Sequence, residues 1–456
     1  MSATPAGVPE KVSPDPFAPV RSRGYLGLLA IAAVLGVPIS AAAFGFLALV
    51  SRFESLTYTD LPEALGFDDT PSWWPVPLLA VAGLLVGLII NHLPGEGGHK
   101  PAEGLGSTGA ASAKELPGIA LAALASLGIG VVLGPEAPLI ALGAGLAVFG
   151  ARLVKRDIGP KVSAAVGAAG SFAAVSALLG SPLLGAFLLM EASGLGGPML
   201  GMVLVPGLLA AGIGSLVFIG LGSWTGLGTY SLTLDDVPAA DVPDFASFGW
   251  ALVIGLAAAF LGTGIRRGAL YLEPRVERHR LPVTVAMGTI VGLAALVYAE
   301  GSGYDASGVL YSGQHALDPL LAGSDGYSVG ALVLLIFCKS VAYCVSLSAF
   351  RGGLVFPSMF VGAVGGIALS HLPGLDLTSG FAMGIGAMCV AMLKLPMTSV
   401  LLATLLLGSS ALTVMPLVIV AVVVSYVVSL RLVPVPRVAP ATPPGSEPVG
   451  AHADPS

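Results

Sequence analysis

The chain has 456 residues, of which 55% are hydrophobic and 10% are charged, and its net charge at pH 7 is −6. Soluble domains carry about 25% charged residues, so this composition excludes an ordinary soluble domain and indicates an integral membrane protein. No basic patch points to a nucleic-acid partner. No metal cluster, Ser-His-Asp set or cofactor motif is apparent, so we expect no metal or cofactor, and an enzyme is the least favoured class of function.

We expect the two ends of the chain, 1–22 and 434–456, to be disordered tails. Both are rich in proline and small residues and cannot bury enough apolar surface to fold. Residues 1–20 contain no continuous apolar stretch, so we do not expect a cleavable signal peptide there. The three cysteines lie in apolar runs without CxxC spacing, which predicts neither a disulfide framework nor a zinc site.

A series of apolar segments of membrane-spanning character lies between the tails. A membrane span needs about 20 apolar residues, and several of these segments are too long for one helix and too short for two. Gly134-Pro135-Glu136, Ser181-Pro182 and Leu395-Pro396 interrupt the longest ones, which predicts tilted, re-entrant or broken helices. The segments lie near 25–50, 76–93, 118–150, 162–192, 198–222, 248–264, 282–299, 328–350, 354–372, 378–408 and 412–433.

The charges between the spans are sorted by sign. Positively charged loops stay in the cytoplasm during insertion, so we predict a protein of the cell membrane with both termini in the cytoplasm and the acidic loops outside. Basic segments lie at 21–23, 152–161, 266–280 and 431–437, and acidic loops lie at 54–69 and 235–244.

The sequence contains a weak internal repeat. GPEAPLIALGAG (134–145) aligns with GGLVFPSMFVGAVGG (352–366) when Pro138 is placed on Pro357. Two halves with matching interruptions are typical of transporters built from inverted repeats. The alternative is chance similarity between stretches rich in glycine and alanine.

A second pair of segments extends the repeat. LLGSPLLGAFLLMEA around Pro182 is similar to MLKLPMTSVLLATLL around Pro396. We therefore predict two membrane halves, 23–245 and 246–433.

Glu136 is the first candidate functional residue. A carboxylate within an apolar stretch is costly and marks a functional site by default. The motif Gly134-Pro135-Glu136-Ala137-Pro138 predicts a helix start, where free N–H groups and the helix dipole attract anions. Glu136 can occupy such a site as a tethered anion and leave it on protonation. The alternative is an acidic residue that only complements the helix dipole.

Gly352-Gly353-Leu354-Val355-Phe356-Pro357 is the second candidate segment. Glycines allow close backbone approach, and we expect a helix to begin at or near Pro357. The N–H groups of Leu354 and Val355 would then face the same site from the other half. Backbone donors bind an anion without the full positive charge that would trap it.

These segments resemble the CLC family of chloride channels and chloride/proton antiporters, over roughly residues 25–433. GPEAP is similar to the family's G(K/R)EGP, GGLVFP to its GGxFxP, and SPLLGAFLLMEA to its NAPLAGxLFxxEE. The resemblance implies an all-α, CLC-like inverted repeat of tilted and broken helices, and a homodimer with one pore per subunit. It also implies that Glu136 is the gating glutamate, and that the anion is bound around Gly98, Gly134, Ala137, Gly353, Leu354, Val355 and Phe356.

Several positions depart from the family pattern. Pro135 replaces the basic residue before the gating glutamate, and Ala137 replaces the glycine after it. Lys339, Arg351 and Lys394 lie in or near apolar segments. Arg351 is a candidate for restoring the missing positive potential, and we expect Lys394 to reach towards the membrane interface.

The family's anion-binding serine has no hydroxyl counterpart. Aligning GGHKP with the family's GSGIP places Gly98 at the serine, with His99 and Lys100 as candidate compensating donors. The alternative alignment places Glu96 there, where its charge would repel an anion. His99 is equally well explained as an interfacial residue.

The proton-transfer glutamate of the antiporters aligns with Ala192, and the preceding acid aligns with Glu191. Glu191 is therefore a candidate for the proton path, with water as the alternative carrier and uncoupled transport as a third option. Tyr426 lies too early to match the family's C-terminal tyrosine. No regulatory domain is expected after Arg437, which is typical of a divergent bacterial-type branch.

The resemblance implies transport of small inorganic anions, chloride first, through a pore gated by a protonatable glutamate, with proton coupling left open. A passive channel and a fluoride-type exporter are alternatives within the same fold. A secondary transporter of an organic anion is an alternative from another class. The expected partners are the anion, protons, the lipid bilayer and a second copy of the chain.

Overall fold

The structure is a computed structural model that describes residues 20–104, 110–194, 198–234 and 237–432. The predicted tails therefore lie outside the described residues, apart from positions 20–22. Ser22 in this short segment caps the first helix by accepting a hydrogen bond from the N–H of Tyr25.

The described residues form helices joined by turns and by longer irregular segments such as 226–234 and 237–244, without a β-strand, as the sequence predicts. Only an isolated bridge between two glycines has β-type pairing. The helices of ten or more residues are α1 (Arg23–Ser55), α2 (Pro75–His92), α3 (Leu116–Leu127), α4 (Glu136–Val154), α5 (Pro160–Val175), α6 (Pro182–Ser193), α7 (Pro198–Thr225), α8 (Phe245–Arg278), α9 (Arg280–Ser302), α10 (Val329–Ala349), α11 (Val355–Ser370), α12 (Leu377–Leu393), α13 (Pro396–Leu405) and α14 (Ala411–Leu432).

The predicted mixture of full spans and broken helices is confirmed in the described residues. Eight helices are long and apolar enough to cross a membrane. Others are shorter: α3 has 12 residues and α13 has 10. At 1.5 Å per residue, α3 is about 18 Å long and cannot cross a hydrocarbon core of about 30 Å. Such helices end within the protein, and their ends place backbone donors there.

The two halves repeat the same order of helices, so that α1–α7 correspond to α8–α14. The breaks predicted from proline lie at corresponding places. Ser181 caps α6 through a hydrogen bond from the Leu183 N–H, and α13 begins at Pro396. The start of α8 at Phe245 lies within one residue of the predicted boundary between halves, which stays a prediction.

One local prediction is wrong. The basic segment 266–280 is helical, because α8 continues to Arg278 and α9 begins at Arg280. Arginines in the last turn of a helix interact favourably with its negative pole, which explains why positive charge does not end α8. The second helix of the site begins at Val355, near Pro357 as predicted, with the proline in the first turn, where it is tolerated.

Glycines bring the helices next to the breaks into close contact. A Cβ on Gly366 would overlap the carbonyl of Gly380, and one on Gly143 would lie 2.5 Å from the carbonyl of Gly170. The alignment that places Pro138 on Pro357 also places Gly143 on Gly362. A Cβ on Gly362 would overlap the carbonyl of Gly384. The first half therefore packs α4 on α5 through small residues, and the second half packs α11 on α12 in the same way.

Neighbouring glycines on α11 test this packing. We predict that Gly366→Ala lowers the free energy of unfolding by about 1–3 kcal/mol, because the added methyl group meets backbone that cannot yield. Gly365→Ala is the matched control, since nothing lies within 4 Å of a Cβ there. Thermal unfolding in detergent measures both, and equal stability of the two variants would refute the close packing.

Candidate functional site

The candidate site forms where two interrupted helices begin side by side. Gly134, before α4, and Gly353, before α11, form an antiparallel bridge. The N–H of Gly134 donates to the carbonyl of Gly353 at 2.8 Å, and the N–H of Gly353 donates to the carbonyl of Gly134 at 2.6 Å. The two segments singled out in the sequence are therefore in direct contact.

The bridge has the symmetry of the repeat. Placing Pro138 on Pro357 also places Gly134 on Gly353, and these are the two residues that pair. Two residues in an antiparallel bridge exchange equivalent hydrogen bonds about a local two-fold axis. Inverted repeats are related by such an axis in the membrane plane. The bridge therefore lies at the junction between the two halves, and both helix starts face it.

Glu136 reaches across this junction. Its side chain is fully buried, and its Oε1 accepts a hydrogen bond of 2.5 Å from the N–H of Val355. Its Oε2 is also buried and has no hydrogen-bond partner among the described residues. The side chain of the first residue of α4 thus accepts a hydrogen bond from the backbone of the first residue of α11, and one of its two carboxylate oxygens has no donor among the described residues.

Both bridging glycines are required by the carboxylate. A Cβ on Gly134 would overlap Glu136 Oε2, and a Cβ on Gly353 would overlap Glu136 Oε1 and Cδ. Because any side chain at these positions would take the place of the carboxylate, glycine here allows a side chain from the chain itself to approach the backbone closely.

Three polar side chains that sequence reasoning missed hold the two turns. Ser346 Oγ on α10 accepts from the N–H of Val132, and Ser126 Oγ on α3 accepts from the N–H of Arg351, both at 3.3 Å. The hydroxyl of Tyr343 donates to the carbonyl of Leu354 at 2.7 Å. Each turn is thus fixed by a serine from the opposite half. The only signal in the sequence is a hydroxyl within an apolar helix that precedes each turn.

Two cavities approach the site from different directions. The first, of about 500 Å³, is lined by Leu133 and Pro135 and by loop residues that include Tyr311; we call it the Tyr311 cavity. The second, of about 900 Å³, is lined by Ala137 and by Lys161; we call it the Lys161 cavity. Glu136 lies in the chain between the linings of the two cavities.

The other predicted anion-binding residues divide between these features. Gly98 lines the Lys161 cavity with Ala137, so the structure brings these two candidates to one space. Leu354, Val355 and Phe356 are buried at the start of α11. Leu354 contributes its carbonyl to Tyr343, whereas Val355 contributes its N–H to Glu136.

His99 and Lys100, the candidate compensating donors, have other partners. His99 Nε2 lies 2.6 Å from the carbonyl oxygen of Gly104. Lys100 pairs with Glu277 and, at 3.1 Å, with Glu273 on α8, and the hydrogen bond that Lys100 donates to Glu277 raises the pKa of Lys100 above its usual value. Lys100 therefore ties the 95–104 segment to α8, whereas His99 makes a contact within that segment.

Arg351 and Glu96 belong to the same connection. The Nε of Arg351 donates to the carbonyl of Glu96 at 3.1 Å. The Glu96 side chain accepts from Arg280 at 2.8 Å, and this hydrogen bond lowers the pKa of Glu96. Arg351 thus braces the turn before Gly353 against the loop that carries Gly98. Lys394, expected to reach the interface, donates to Ser429 Oγ within the protein at 2.6 Å.

Glu191 lies at the start of α13. Its Oε1 accepts from the N–H of Met397 at 3.0 Å, and its Oε2 accepts from the N–H and the hydroxyl of Thr398, both at 2.7 Å. Both oxygens therefore satisfy donors that a helix start leaves free. Ala192, the next residue, lines the Lys161 cavity.

Comparison with known proteins relates this geometry to a family. A family model described as voltage gated chloride channel matches residues 82–430. The protein YfeO of Salmonella schwarzengrund, to which ion transport is ascribed, is 29% identical over 365 residues, which are 76% of this chain and 82% of that protein. Its counterpart in Salmonella paratyphi A has the same identity and coverage.

Solved structures share the fold. A slow cyanobacterial Cl⁻/H⁺ antiporter superposes with a TM-score of 0.70 at 18% identity, covering 89% of this chain and 94% of its own. A CLC-type fluoride/proton antiporter gives 0.65 at 18% identity, with coverage of 89% and 95%. A eukaryotic CLC transporter gives 0.65 at 17% identity, with coverage of 89% and 72%. At these identities the likeness establishes the fold, which is the CLC-like inverted repeat predicted above.

A double-mutant cycle tests the contact between the carboxylate and the bridge. We predict that Gly353→Ala destabilises the protein by about 1–3 kcal/mol, and that most of this cost disappears in a Glu136→Ala background, because the clashing side chain is gone. Thermal unfolding in detergent measures all four proteins.

Gly352→Ala is the matched control for the cycle. Its Cβ would lie 2.5 Å from Leu133 Cβ and 3.1 Å from the carbonyl of Gly134, away from Glu136. Its cost should therefore persist in the Glu136→Ala background. Equal costs of Gly353→Ala with and without Glu136 would place the carboxylate elsewhere.

Proposed function

The chain belongs to the voltage-gated chloride channel family, and from this premise we propose that it transports small inorganic anions, chloride first, past the Glu136 site. This is transport by a membrane protein and not enzymatic catalysis. One observation carries the proposal: a buried carboxylate accepts a hydrogen bond from a backbone N–H at a helix start, between two cavities. If the carboxylate left this position, an anion could bind there on its way from one cavity to the other.

Protonation of Glu136 is the proposed switch. The ionised carboxylate competes with a free anion for the Val355 N–H and for the positive poles of α4 and α11. Its buried Oε2 has no donor, and an unsatisfied charged oxygen is costly to bury. A proton on Oε2 removes the charge, weakens the bond to Val355 and lets the side chain leave. The anion then takes the vacated donor.

The site suits weak, reversible binding. The proposed anion site lies among Gly98, Gly134, Ala137, Gly353 and Leu354–Phe356. Its proposed donors are N–H groups at the starts of α4 and α11, without a cationic side chain, since the N–H groups of Gly134 and Gly353 already donate to each other's carbonyl oxygens. Backbone N–H groups replace part of the hydration shell of a halide, and transport needs binding that is weak enough for release.

The loop charges give the proposed direction. Lys161 belongs to a basic segment, so the Lys161 cavity would open to the cytoplasm, and Glu54 of the Tyr311 cavity belongs to an acidic loop, so that cavity would face outward. We place the protein in the cell membrane with cytoplasmic termini, as a homodimer with one pore in each subunit.

Proton coupling, if present, would use water in the Lys161 cavity. Ala192 cannot carry a proton, but it lines this cavity together with Ala137, which follows the gate. Glu191 is the less favoured carrier, because both of its oxygens accept hydrogen bonds from the start of α13. We assign Glu191 a role in capping that helix.

Fluoride is the second candidate substrate, because a CLC-type fluoride/proton antiporter has the same fold. A passive anion channel is the alternative mechanism within this fold. The apolar surroundings of Glu136 and the absence of a side-chain cation among its described hydrogen-bond partners favour an inorganic anion over an organic one.

Replacing Glu136 tests the gate. We predict that Glu136→Gln abolishes proton movement driven by a chloride gradient, whereas anion flux is unchanged or higher, because the neutral amide cannot exchange a proton. Purified protein in liposomes, with a chloride electrode and a pH electrode, measures both. Glu300→Gln is the control, because Glu300 is an exposed carboxylate that accepts a hydrogen bond from Ser72 and is not a hydrogen-bond partner of Glu136.

Two outcomes would contradict the gate. Proton movement at the wild-type rate in Glu136→Gln would exclude Glu136 as the coupled acid. Wild-type protein without flux of chloride, fluoride or nitrate would exclude inorganic-anion transport. In active wild-type protein, the reversal potential under combined chloride and pH gradients distinguishes an antiporter from a channel.

Replacing Glu191 separates capping from proton transfer. We predict that Glu191→Ala costs about 1–2 kcal/mol of stability, the usual loss when a helix cap is removed. Glu191→Gln keeps one oxygen acceptor and should retain more of this stability and a wild-type ratio of protons to anions. Normal stability of Glu191→Gln with loss of proton movement would instead assign Glu191 to the proton path.

A further inference from the structure

Lys339 on α10 is a buried lysine that the proposed gate does not use. The residue is 1% exposed, and its Nζ donates to the carbonyls of Gly308, Leu310 and Tyr311 at 3.2, 2.7 and 3.1 Å. The same atom lies 4.5 Å from the centre of the Phe360 ring on α11. All of its polar contacts are thus to backbone oxygens and an aromatic face.

This geometry selects the charged form of the amine. An ammonium group has three N–H donors and no acceptor, which matches three carbonyl oxygens. A neutral amine has two N–H donors, so one carbonyl would face its lone pair. The face of an aromatic ring also attracts a cation. Four independent contacts therefore stabilise a positive charge at this position.

The charge has no carboxylate partner among the described residues. The ion pairs that Arg52, Lys100 and Arg280 make do not involve Lys339. A buried charge is normally paired, because its removal from water is costly. An unpaired charge in a medium of low dielectric constant is screened weakly, so its potential extends into neighbouring spaces.

The neighbouring space is the Tyr311 cavity. Gly308, Leu310, Tyr311 and Phe360, the four contacts of the Lys339 amine, all line it, and so does Pro135 directly before the gate. Phe360 follows Val355 by five residues on α11, a rise of about 7.5 Å. The ammonium group therefore lies behind the cavity wall, close to the site but without access to the anion itself.

We infer that Lys339 is a specificity-determining residue: its buried, unpaired ammonium group makes the Tyr311 cavity attractive to anions and sets how readily they reach Glu136 from that side. This inference rests on the proposed function. The placement behind the wall supplies positive potential without a direct ion pair that would trap the anion. Lys339 thus provides the charge that Pro135 does not supply.

Two acidic groups oppose this potential. Glu54 and Asp305 also line the Tyr311 cavity. Asp305 uses its Oδ1 to accept from the N–H of Ser307 at 2.8 Å. The balance between Lys339 and these carboxylates decides the sign of the potential, so neutralising Glu54 should act in the opposite direction to neutralising Lys339.

Anion uptake into right-side-out and inverted membrane vesicles tests the inference. Lys339→Gln keeps N–H donors for the carbonyls but removes the charge. We expect it to raise the KM for chloride from the Tyr311 side about 15- to 20-fold, the order expected for a unit charge about 10 Å away at an effective dielectric constant near 20. The maximal rate and the KM from the other side should stay within about twofold of wild type.

Ser340→Ala is the matched control. Ser340 is the next residue on α10, and its buried hydroxyl has no hydrogen-bond partner among the described residues. It should leave both KM values unchanged. Lys339→Arg should restore the KM, and Glu54→Gln should lower it. If Lys339→Gln does not assemble, these two variants still decide the question, because an unchanged KM in Glu54→Gln would show that charge at this cavity does not control loading.

The outcomes separate this inference from the proposed function. Wild-type vesicles without saturable uptake of chloride or fluoride would overturn the proposed function. Wild-type uptake with an unchanged KM in Lys339→Gln, or equal changes on both sides, would overturn the role of Lys339. A wild-type KM in Lys339→Gln together with a raised KM in Lys339→Met would assign Lys339 to hydrogen bonding alone.

Discussion

The Glu136 carboxylate accepts a hydrogen bond from the Val355 N–H, and this contact constrains how the elements around it are arranged. Two helices must begin inside the protein, side by side, for a side chain on one to reach the backbone of the other. The breaks at proline create those starts, and the bridge between Gly134 and Gly353 holds them in register. Close packing through glycine brings α5 and α12 against the helices that begin there. Together these features expose N–H groups of two helix starts at one buried place.

Cationic side chains lie around this place, and none of them donates a hydrogen bond to the Glu136 carboxylate among the described residues. Arg351, next to the bridge, directs its guanidinium to backbone oxygens of Glu96 and Phe350. Lys339 directs its ammonium to three carbonyls and an aromatic ring. A cation in contact with a dehydrated anion would bind it too tightly for turnover, whereas a cation behind a wall raises the local anion concentration and leaves release fast. The polar contacts of both residues explain how positive charge can be buried here without a carboxylate.

The sequence predicted the fold and the position of Glu136 at a helix start more completely than the surroundings of Glu136. Proline and glycine punctuate the chain at each observed break, and a lone carboxylate in an apolar run marks Glu136, because both are local signals. The serines that hold the turns are different: Ser126 and Arg351 are 225 residues apart, and their contact exists only after the halves assemble. The contacts of Glu191 with α13 were missed for the same reason, since partners distant in the chain determine what a charge does.

The repeat also shows why the two halves cannot be identical at the site. Glu136 and Val355 occupy corresponding positions, each two residues after its bridging glycine, and each begins a helix. Two glutamates there would place two carboxylates in one buried space, where one would have to be protonated because like charges repel. Two valines would leave both helix starts open to an anion, with nothing to compete for them. One carboxylate facing one N–H is the arrangement that can be both occupied and vacated, so the proposed gate requires this asymmetry within a symmetric fold.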